Sequence, residues 1–177
     1  MAGTGPSRKA EPRLARQEEL ALLPRIEQQA GERLRGHPAW PVFAACPTDV
    51  VAFEQGWLRQ SLWVIEGGNG EVVGYLLAGV LGSDFHVQQM DVLPAHGGKG
   101  YGRTLLRHAL MQAAERGHHR AVLTTLSDVP WNADFYASEG FRVVPRAAWS
   151  DAMQSVMAEE AAAGFPMTLR VVMLQEF

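Results

Sequence analysis

The chain passes from a strand to a helix within Asp91-Val92-Leu93-Pro94-Ala95-His96-Gly97-Gly98-Lys99-Gly100-Tyr101-Gly102-Arg103. Pro94 ends a predicted strand at 84–93, and the glycines open a helix with a regular apolar stripe. The stripe consists of Leu105, Leu106, Ala109, Leu110 and Ala113. Glycines let an anion approach the backbone, and the free N–H groups at the start of a helix bind it. The segment therefore predicts a phosphate or pyrophosphate site, to which Lys99 and Arg103 add positive charge.

Two nucleotide-binding motifs do not fit these glycines. A P-loop requires a hydroxyl residue after its Gly-Lys pair, but Gly98-Lys99 is followed by Gly100. A dinucleotide fingerprint that starts at Gly98 and Gly100 places its third glycine on Arg103. These residues alone therefore leave either an anion-binding loop of another kind or a plain glycine turn.

Upstream of this segment, the pattern predicts two helices and then a hairpin. Pro24 begins a short amphipathic helix, and Thr48-Asp49 caps a second helix that runs to about Leu58. The apolar runs 61–66 and 72–81 flank a Gly-Gly-Asn-Gly turn, so they should pair as antiparallel strands. Downstream, helices and strands alternate, with strands at 121–126, 141–144 and 167–174 and helices at 131–139 and 150–163.

The composition is that of an ordinary globular domain. The chain has 177 residues, of which 47% are hydrophobic and 20% charged, and its formal net charge is -3. This balance predicts one domain at 13–177 after a polar tail at 1–12, with no nucleic-acid or membrane partner. The first residues carry no secretory signal, so a cytoplasmic location is expected. The single Cys46 cannot form an internal disulfide and is expected to be a partly buried thiol without a metal.

The glycine segment resembles the acetyl-CoA-binding motif of the GNAT superfamily, which is Gln/Arg-x-x-Gly-x-Gly/Ala after a strand that ends in Val-x-Pro. Gly100 and Gly102 occupy the two small positions, whereas the usual Gln or Arg falls on Gly97. The resemblance implies acetyl-CoA as the cosubstrate, no metal, and backbone amides as the main ligands of the pyrophosphate. The implied cofactor-binding residues of the loop are Gly97, Gly98, Lys99, Gly100, Tyr101, Gly102 and Arg103.

A second segment is similar to the family's Asn…Ala…Phe-Tyr…Gly-Phe signature: Pro130-Trp131-Asn132-Ala133-Asp134-Phe135-Tyr136-Ala137-Ser138-Glu139-Gly140-Phe141. The resemblance implies that Tyr136 is the general acid, which protonates or hydrogen-bonds the leaving thiolate. Asn132 is implied as a cofactor contact, although it stands four residues before Tyr136, where many relatives place theirs seven before. The alternative for Tyr136 is a half-buried structural tyrosine.

Together the two motifs imply the GNAT fold, an α/β (mixed α+β) architecture. Its strongly twisted mixed sheet of about 6–7 strands is flanked by helices. The central strands, here 84–93 and 121–126, splay apart, and the pantetheine arm of the cofactor inserts between them as an added strand would. Backbone groups of Met90, Asp91 and Val92, near a bulge, are implied to bind the arm and polarise the thioester carbonyl.

An alkylammonium ion cannot attack a thioester until it loses a proton, so a base is expected on the strand before the glycine motif. His86 falls where histone acetyltransferases of the superfamily place a glutamate base and where serotonin N-acetyltransferase carries a histidine. Residues 86, 88 and 90 are expected to share one strand face, which would bring His86 and Gln88 beside the amine. The alternative is a structural histidine, with Asp84, Asp91 or a water chain as the base.

The function that the resemblance implies is transfer of an acetyl group from acetyl-CoA to a primary amine, by direct attack in a ternary complex. The acceptor stays open between small-molecule amines and protein amines, and a homodimer is also left open. The alternative is a catalytically weak GNAT module that binds acyl-CoA as a sensor or interaction domain.

Overall fold

The structure is a computed structural model that describes residues 10–177. Residues 1–9, which belong to the predicted polar tail, lie outside the described residues. The strands are β1 (Arg13–Leu14), β2 (Leu62–Glu66), β3 (Val72–Leu81), β4 (Asp84–Val92), β5 (Arg120–Leu126), β6 (Arg142–Val143) and β7 (Arg170–Glu176). The α-helices are α1 (Leu23–Gly31), α2 (Trp40–Ala45), α3 (Val50–Leu58), α4 (Tyr101–Glu115), α5 (Ala133–Ser138) and α6 (Asp151–Ala163).

The strands form one seven-stranded sheet in the order β1-β2-β3-β4-β5-β7-β6. The pair β4 and β5 is parallel, and the other neighbouring pairs are antiparallel. The predicted hairpin of β2 and β3 is confirmed, and Gly70 takes a φ of +80° in its turn, a conformation that glycine adopts readily. The mixed, helix-flanked sheet that the sequence predicted is therefore confirmed.

The central strands β4 and β5 separate soon after they begin. They pair only at Phe85 with Ala121 and at His86 with Val122. Beyond His86, the edge of β4 that faces β5 has no strand beside it among residues 10–177. The predicted splaying is confirmed, and it leaves a gap in the middle of the sheet.

A bulge in β4 corrects the expected direction of its side chains. Leu77 of β3 pairs with Gln89 and the next residue, Ala78, pairs with Val87, so Gln88 is an extra residue. The alternation of faces is shifted at this point, because one residue of β4 has no partner in the register. His86 and Met90 consequently lie on opposite faces, and the prediction that residues 86, 88 and 90 share one face is wrong.

The two faces of the sheet are covered by different helices. Helix α4 packs Leu105 and Leu106 against one face, in a core that includes Leu76 of β3. Helices α1 and α3 pack Ile26 and Phe53 against the opposite face, beside Tyr75 and Leu77. Because cross-strand partners share a face, Met90 lies with Leu76 on the α4 side, and Asp91 lies with Tyr75 on the α1 side.

Local signals explain most of the helix boundaries. Asp49 caps α3 as predicted, since its Oδ1 accepts a hydrogen bond from Val51 N–H at 2.9 Å. Gly117 follows the end of α4 with a φ of +85°. The sequence predicted no helix where α2 forms; Pro41 lies in the first turn of α2, where its missing N–H is not needed. Within residues 10–177, no helix is long and apolar enough to cross a bilayer.

Candidate active site

A cavity of about 780 Å³ passes through the gap between β4 and β5. On the α4 side, its lining residues include Gly97, Gly98, Gly100, Tyr101, Gly102, Arg103, Asn132, Phe135 and Tyr136. On the α1 side, they include Glu27, Gln28, Trp40, Phe43, Thr48, Glu160, Phe165 and Arg170. The cavity therefore connects the two faces of the sheet, and residues 87–92 of β4 form part of its wall.

The glycine loop at one end of the cavity exposes a row of backbone N–H groups. Gly98 and Gly100 have φ values of +72° and +86°, and a Cβ on either glycine would meet nothing within 4 Å. Among the described residues, the amides of 98–103 have no backbone acceptor, whereas Thr104 N–H already bonds to Gly100 O at 3.0 Å. These free amides lie at the positive end of the α4 dipole, so the loop can bind an anion.

Gly102 lets the first turn of α4 pack closely against β4. A Cβ at this position would lie 3.7 Å from Met90 Cε and 3.9 Å from Val92 Cγ2. A methyl group would fit here in ordinary van der Waals contact, but a larger side chain would push the helix away from the strand, so a small residue keeps the free amides beside the gap.

The predicted positive charge of the loop is only partly available. Lys99 is exposed and is not among the residues that line the cavity. Arg103 does line the cavity, but it forms an ion pair with Glu139, whose carboxylate also accepts a hydrogen bond from Arg107 at 2.7 Å. Because Gly97 has no side chain, the backbone amides are the main anion ligands that this loop offers.

Tyr136 borders the cavity from α5, on the same side as the glycine loop. Its ring packs edge-on against Phe135 and Phe141, with centroid distances of 5.1 and 5.8 Å. Burial, and then the negative charge of Asp91, raise the pKa of Tyr136 above its ordinary value. The hydroxyl therefore stays protonated and can donate a hydrogen bond. Asn132 also lines the cavity, at the N-cap of α5.

Asp91 borders the cavity where β4 passes the gap. Tyr75 Oη and Gln89 Nε2 both donate hydrogen bonds to its Oδ2 at 2.8 Å. Burial raises the pKa of Asp91 to about 6, although both hydrogen bonds favour the carboxylate and lower it. A carboxyl group with this pKa changes its charge close to neutral pH.

Two further carboxylates line the α1 side of the cavity. Glu27 accepts hydrogen bonds from Thr48 N–H at 3.0 Å and from Thr48 Oγ1 at 2.9 Å. Glu160 is paired with Arg170 at 2.8 Å and also accepts a hydrogen bond from Thr124. The charge of Glu160 is therefore balanced by a neighbouring arginine.

An apolar wall lies beside these groups. Phe43 and Phe165 pack edge-on with centroids 5.0 Å apart, and Trp40 also lines the cavity. Cys46 is exposed and borders the same space, so the expectation that it is partly buried is wrong. No group of three or more potential metal ligands occurs among residues 10–177.

His86, like Lys99, is a predicted site residue that the structure does not bring to the cavity. It lies at the closed end of the gap, where it pairs with Val122, and it is not among the cavity-lining residues. Burial lowers the pKa of His86 to about 4, and the nearby charge of Glu160 only partly opposes this effect. An imidazole with this pKa is a weak proton acceptor at neutral pH.

Sequence reasoning missed Glu27, Thr48 and Tyr75 as partners in this site. Thr48 was interpreted only as part of a helix cap. Glu27 lies in α1, Thr48 in the loop between α2 and α3, and Tyr75 in β3, so no local motif connects them. The cross-strand pairing of Tyr75 with Asp91 depends on the register of β3 and β4, which is not visible in the sequence.

Known proteins share this fold. Residues 59–143 match a family model described as an acetyltransferase (GNAT) domain. PaiA N-acetyltransferase from Thermoplasma acidophilum, in complex with coenzyme A, has a TM-score of 0.70 at 13% identity, covering 96% of this chain and 100% of that chain. An acetyltransferase of the GNAT family from Staphylococcus aureus has a TM-score of 0.69 at 14% identity, covering 94% and 98%.

N-acetylglutamate synthase from Neisseria gonorrhoeae, complexed with coenzyme A and N-acetyl-glutamate, has a TM-score of 0.72 at 13% identity. The match covers 96% of this chain but only 35% of that longer one. At such identities the structural likeness shows only the fold. The family model adds evidence from the sequence, because residues 59–143 match it. Residues 59–143 of the chain therefore carry an acetyltransferase domain of the GNAT superfamily.

Proposed function

We propose that residues 13–177 form one acetyltransferase domain that transfers an acetyl group from acetyl-CoA to a primary amine by direct attack in a ternary complex. The observation that carries this proposal is the cavity that joins both faces of the sheet through the gap between β4 and β5. A cofactor can enter from the α4 side and an acceptor from the α1 side, so that the two meet in the gap. Their proximity there supplies much of the acceleration.

In this proposal, the free amides of 98–103 bind the pyrophosphate of CoA, with Gly97 and Asn132 at the edge of the same site. The pantetheine arm lies along Met90, Asp91 and Val92, where the edge of β4 has no neighbouring strand within residues 10–177. Unpaired backbone groups of a strand edge bind an extended ligand as they would another strand. An N–H group near the bulge at Gln88 can then polarise the thioester carbonyl.

Tyr136 acts on the leaving sulfur. The amine nitrogen attacks the carbonyl carbon, the carbon–sulfur bond breaks, and CoA leaves as a thiolate that takes up a proton. Because the pKa of Tyr136 is raised, its hydroxyl stabilises the thiolate mainly by donating a hydrogen bond. The proton can then pass to sulfur from the attacking nitrogen.

Two measurements test this function. Calorimetry with CoA should show binding, and a thiol-release assay with acetyl-CoA and a panel of primary amines should show turnover that depends on the amine. CoA binding without amine-dependent thiol release would instead favour the catalytically weak module. The absence of both CoA binding and thiol release would contradict the proposal.

A further inference from the structure

Two carboxylates line the cavity without a positively charged partner. Glu27 comes from α1 and Asp91 from β4, and neither lies within 4.0 Å of a basic nitrogen among residues 10–177. The nearby Glu160 differs, because Arg170 neutralises it at 2.8 Å. Burial, and to a smaller extent the charge of Glu27, raises the pKa of Asp91.

The two oxygens of Asp91 have different surroundings. Oδ2 accepts both hydrogen bonds, from Tyr75 and Gln89, whereas Oδ1 has no donor among the described residues. The buried side-chain atoms without a partner in that part of the chain are His96 Nδ1 and Gln175 Oε1, so Oδ1 of Asp91 is not sealed in the interior. The carboxylate is therefore held by one oxygen and presents the other to the open cavity.

Among the described residues, no basic side chain of the elements around Asp91 forms an ion pair with it, although Arg33 lines the same cavity without an acid partner. Tyr75 of β3 and Tyr136 of α5 are neutral at physiological pH, and Glu27 of α1 is an acid. Arg170 of β7 is paired with Glu160, and Arg33 lies over the ring of Trp131 at 4.1 Å from its centroid. Partly buried carboxylates without a counter-charge favour a cation, so a cationic ligand would bind favourably in the cavity beside Glu27 and Asp91.

On the basis of the acetyl transfer proposed above, we propose that Glu27 and Asp91 bind the ammonium group of the acceptor and that Oδ1 of Asp91 accepts its proton. The acceptor is then a primary alkylammonium ion without a carboxylate beside the nitrogen, because an adjacent carboxylate would be repelled by both acids. Its apolar body can pack against Trp40, Phe43 and Phe165.

The proton balance of this step is closed. One proton moves from the ammonium nitrogen to Oδ1 of Asp91 and later to solvent. The neutral amine attacks the carbonyl carbon, and the tetrahedral intermediate loses a second nitrogen proton as the carbon–sulfur bond breaks. That proton ends on the thiolate, so the products are the acetamide, CoA thiol and one released proton.

The test compares three acceptors in a thiol-release assay with the full chain and acetyl-CoA. Phenethylamine and phenylalanine differ by the carboxylate, and hydroxylamine is largely unprotonated at neutral pH. We expect kcat/KM for phenethylamine to exceed that for phenylalanine by about tenfold or more. Glu27→Gln should raise KM for phenethylamine about tenfold with little change in kcat. Asp91→Asn should lower kcat for phenethylamine by about 10²-fold while affecting hydroxylamine much less, and Asp91→Glu should restore part of the rate.

Glu54→Gln is the matched control, since Glu54 is an exposed carboxylate on α3 outside the cavity. CoA affinity, measured by calorimetry, should be retained in every variant, because the pantetheine arm is proposed to bind backbone groups of β4. A loss of CoA affinity would reveal misfolding. The ammonium site would be contradicted if Asp91→Asn lost the same factor in rate with phenethylamine and hydroxylamine, or if Glu27→Gln left KM unchanged. Neither outcome would contradict the proposed acetyl transfer. If the wild-type protein binds CoA but releases no thiol with any amine, the acetyl transfer itself is wrong and the ammonium site falls with it.

Discussion

The hydroxyl of Tyr75 donates a hydrogen bond to Oδ2 of Asp91 at 2.8 Å, across the paired strands β3 and β4. Tyr75 is fully buried and packs edge-on against Phe53 at 5.4 Å, so its position is set by the core between the sheet and α3. This contact holds a cavity-facing carboxylate through a residue that does not itself line the cavity. The orientation of Asp91 is thus controlled from the core.

Tyr75→Phe should shift the pH dependence of turnover. The hydrogen bond stabilises the carboxylate, so it lowers a pKa that burial has raised to about 6. Without the hydrogen bond from Tyr75, the pKa of Asp91 rises. The acidic limb of the pH–rate profile, where the base must be deprotonated, then moves to higher pH. Turnover measured from about pH 5 to about pH 9 should converge with the wild-type rate at the alkaline end. A limb at the wild-type position would show that Tyr75 does not tune the base.

Asp91→Asn should stabilise the CoA-free protein at alkaline pH although it lowers activity. The folded-state pKa of about 6 lies above the ordinary value of 3.8, so the folded state binds the proton more tightly and stability falls as pH rises through this window. Above it, the charged Asp91 costs up to about 3 kcal/mol, which the asparagine avoids. Urea unfolding at about pH 4 and about pH 8 tests this, and the gain should appear only at the higher pH.

Gly100→Asp should weaken CoA binding by about tenfold or more, because it places a carboxylate among the amides that are proposed to bind the pyrophosphate. Gly70→Asp is the matched control, since Gly70 has a similar φ of +80° and open space around it, but lies in the β2–β3 turn. Calorimetry should separate the two variants. Equal CoA affinity in a folded Gly100→Asp protein would place the pyrophosphate elsewhere.

Tyr136→Phe should lower turnover by about 10- to 10⁴-fold while acetyl-CoA affinity is retained. Phenylalanine keeps the ring packing against Phe135 and Phe141, so the effect reports the hydroxyl alone. The lower end of this range is expected, since a tyrosine of raised pKa acts mainly as a hydrogen-bond donor and water can replace part of that role. Full turnover in the variant would make the hydroxyl redundant.

His86→Gln distinguishes the two candidate bases. With its pKa lowered to about 4, His86 cannot account for a rate limb near neutral pH. The variant should therefore keep the acidic limb near about pH 6 that Asp91 contributes. Loss of this limb in His86→Gln, together with its retention in Asp91→Asn, would return the role of base to His86.

Local sequence was sufficient for most of the fold. The Gly-Gly-Asn-Gly turn predicted the hairpin, Asp49 predicted the start of α3, and the proline and glycines of 94–102 predicted the change from strand to helix. These signals act over a few residues, through φ preferences and hydrogen bonds to nearby amides. They also located the glycine loop, whereas Tyr136 was identified through the resemblance of 130–141 to the GNAT signature.

The proposed proton-accepting side of the site depended on tertiary structure. A single extra residue, Gln88, shifts the face of every later side chain in β4, and nothing in the local pattern marks it as a bulge. The bulge turns Asp91, rather than Met90, toward Tyr75 and Glu27. Burial then raises the pKa of Asp91 and lowers that of His86, and burial is a property of the packed chain. Residue types thus defined the chemistry available to this protein, but the register of two strands decided which carboxylate faces the cavity.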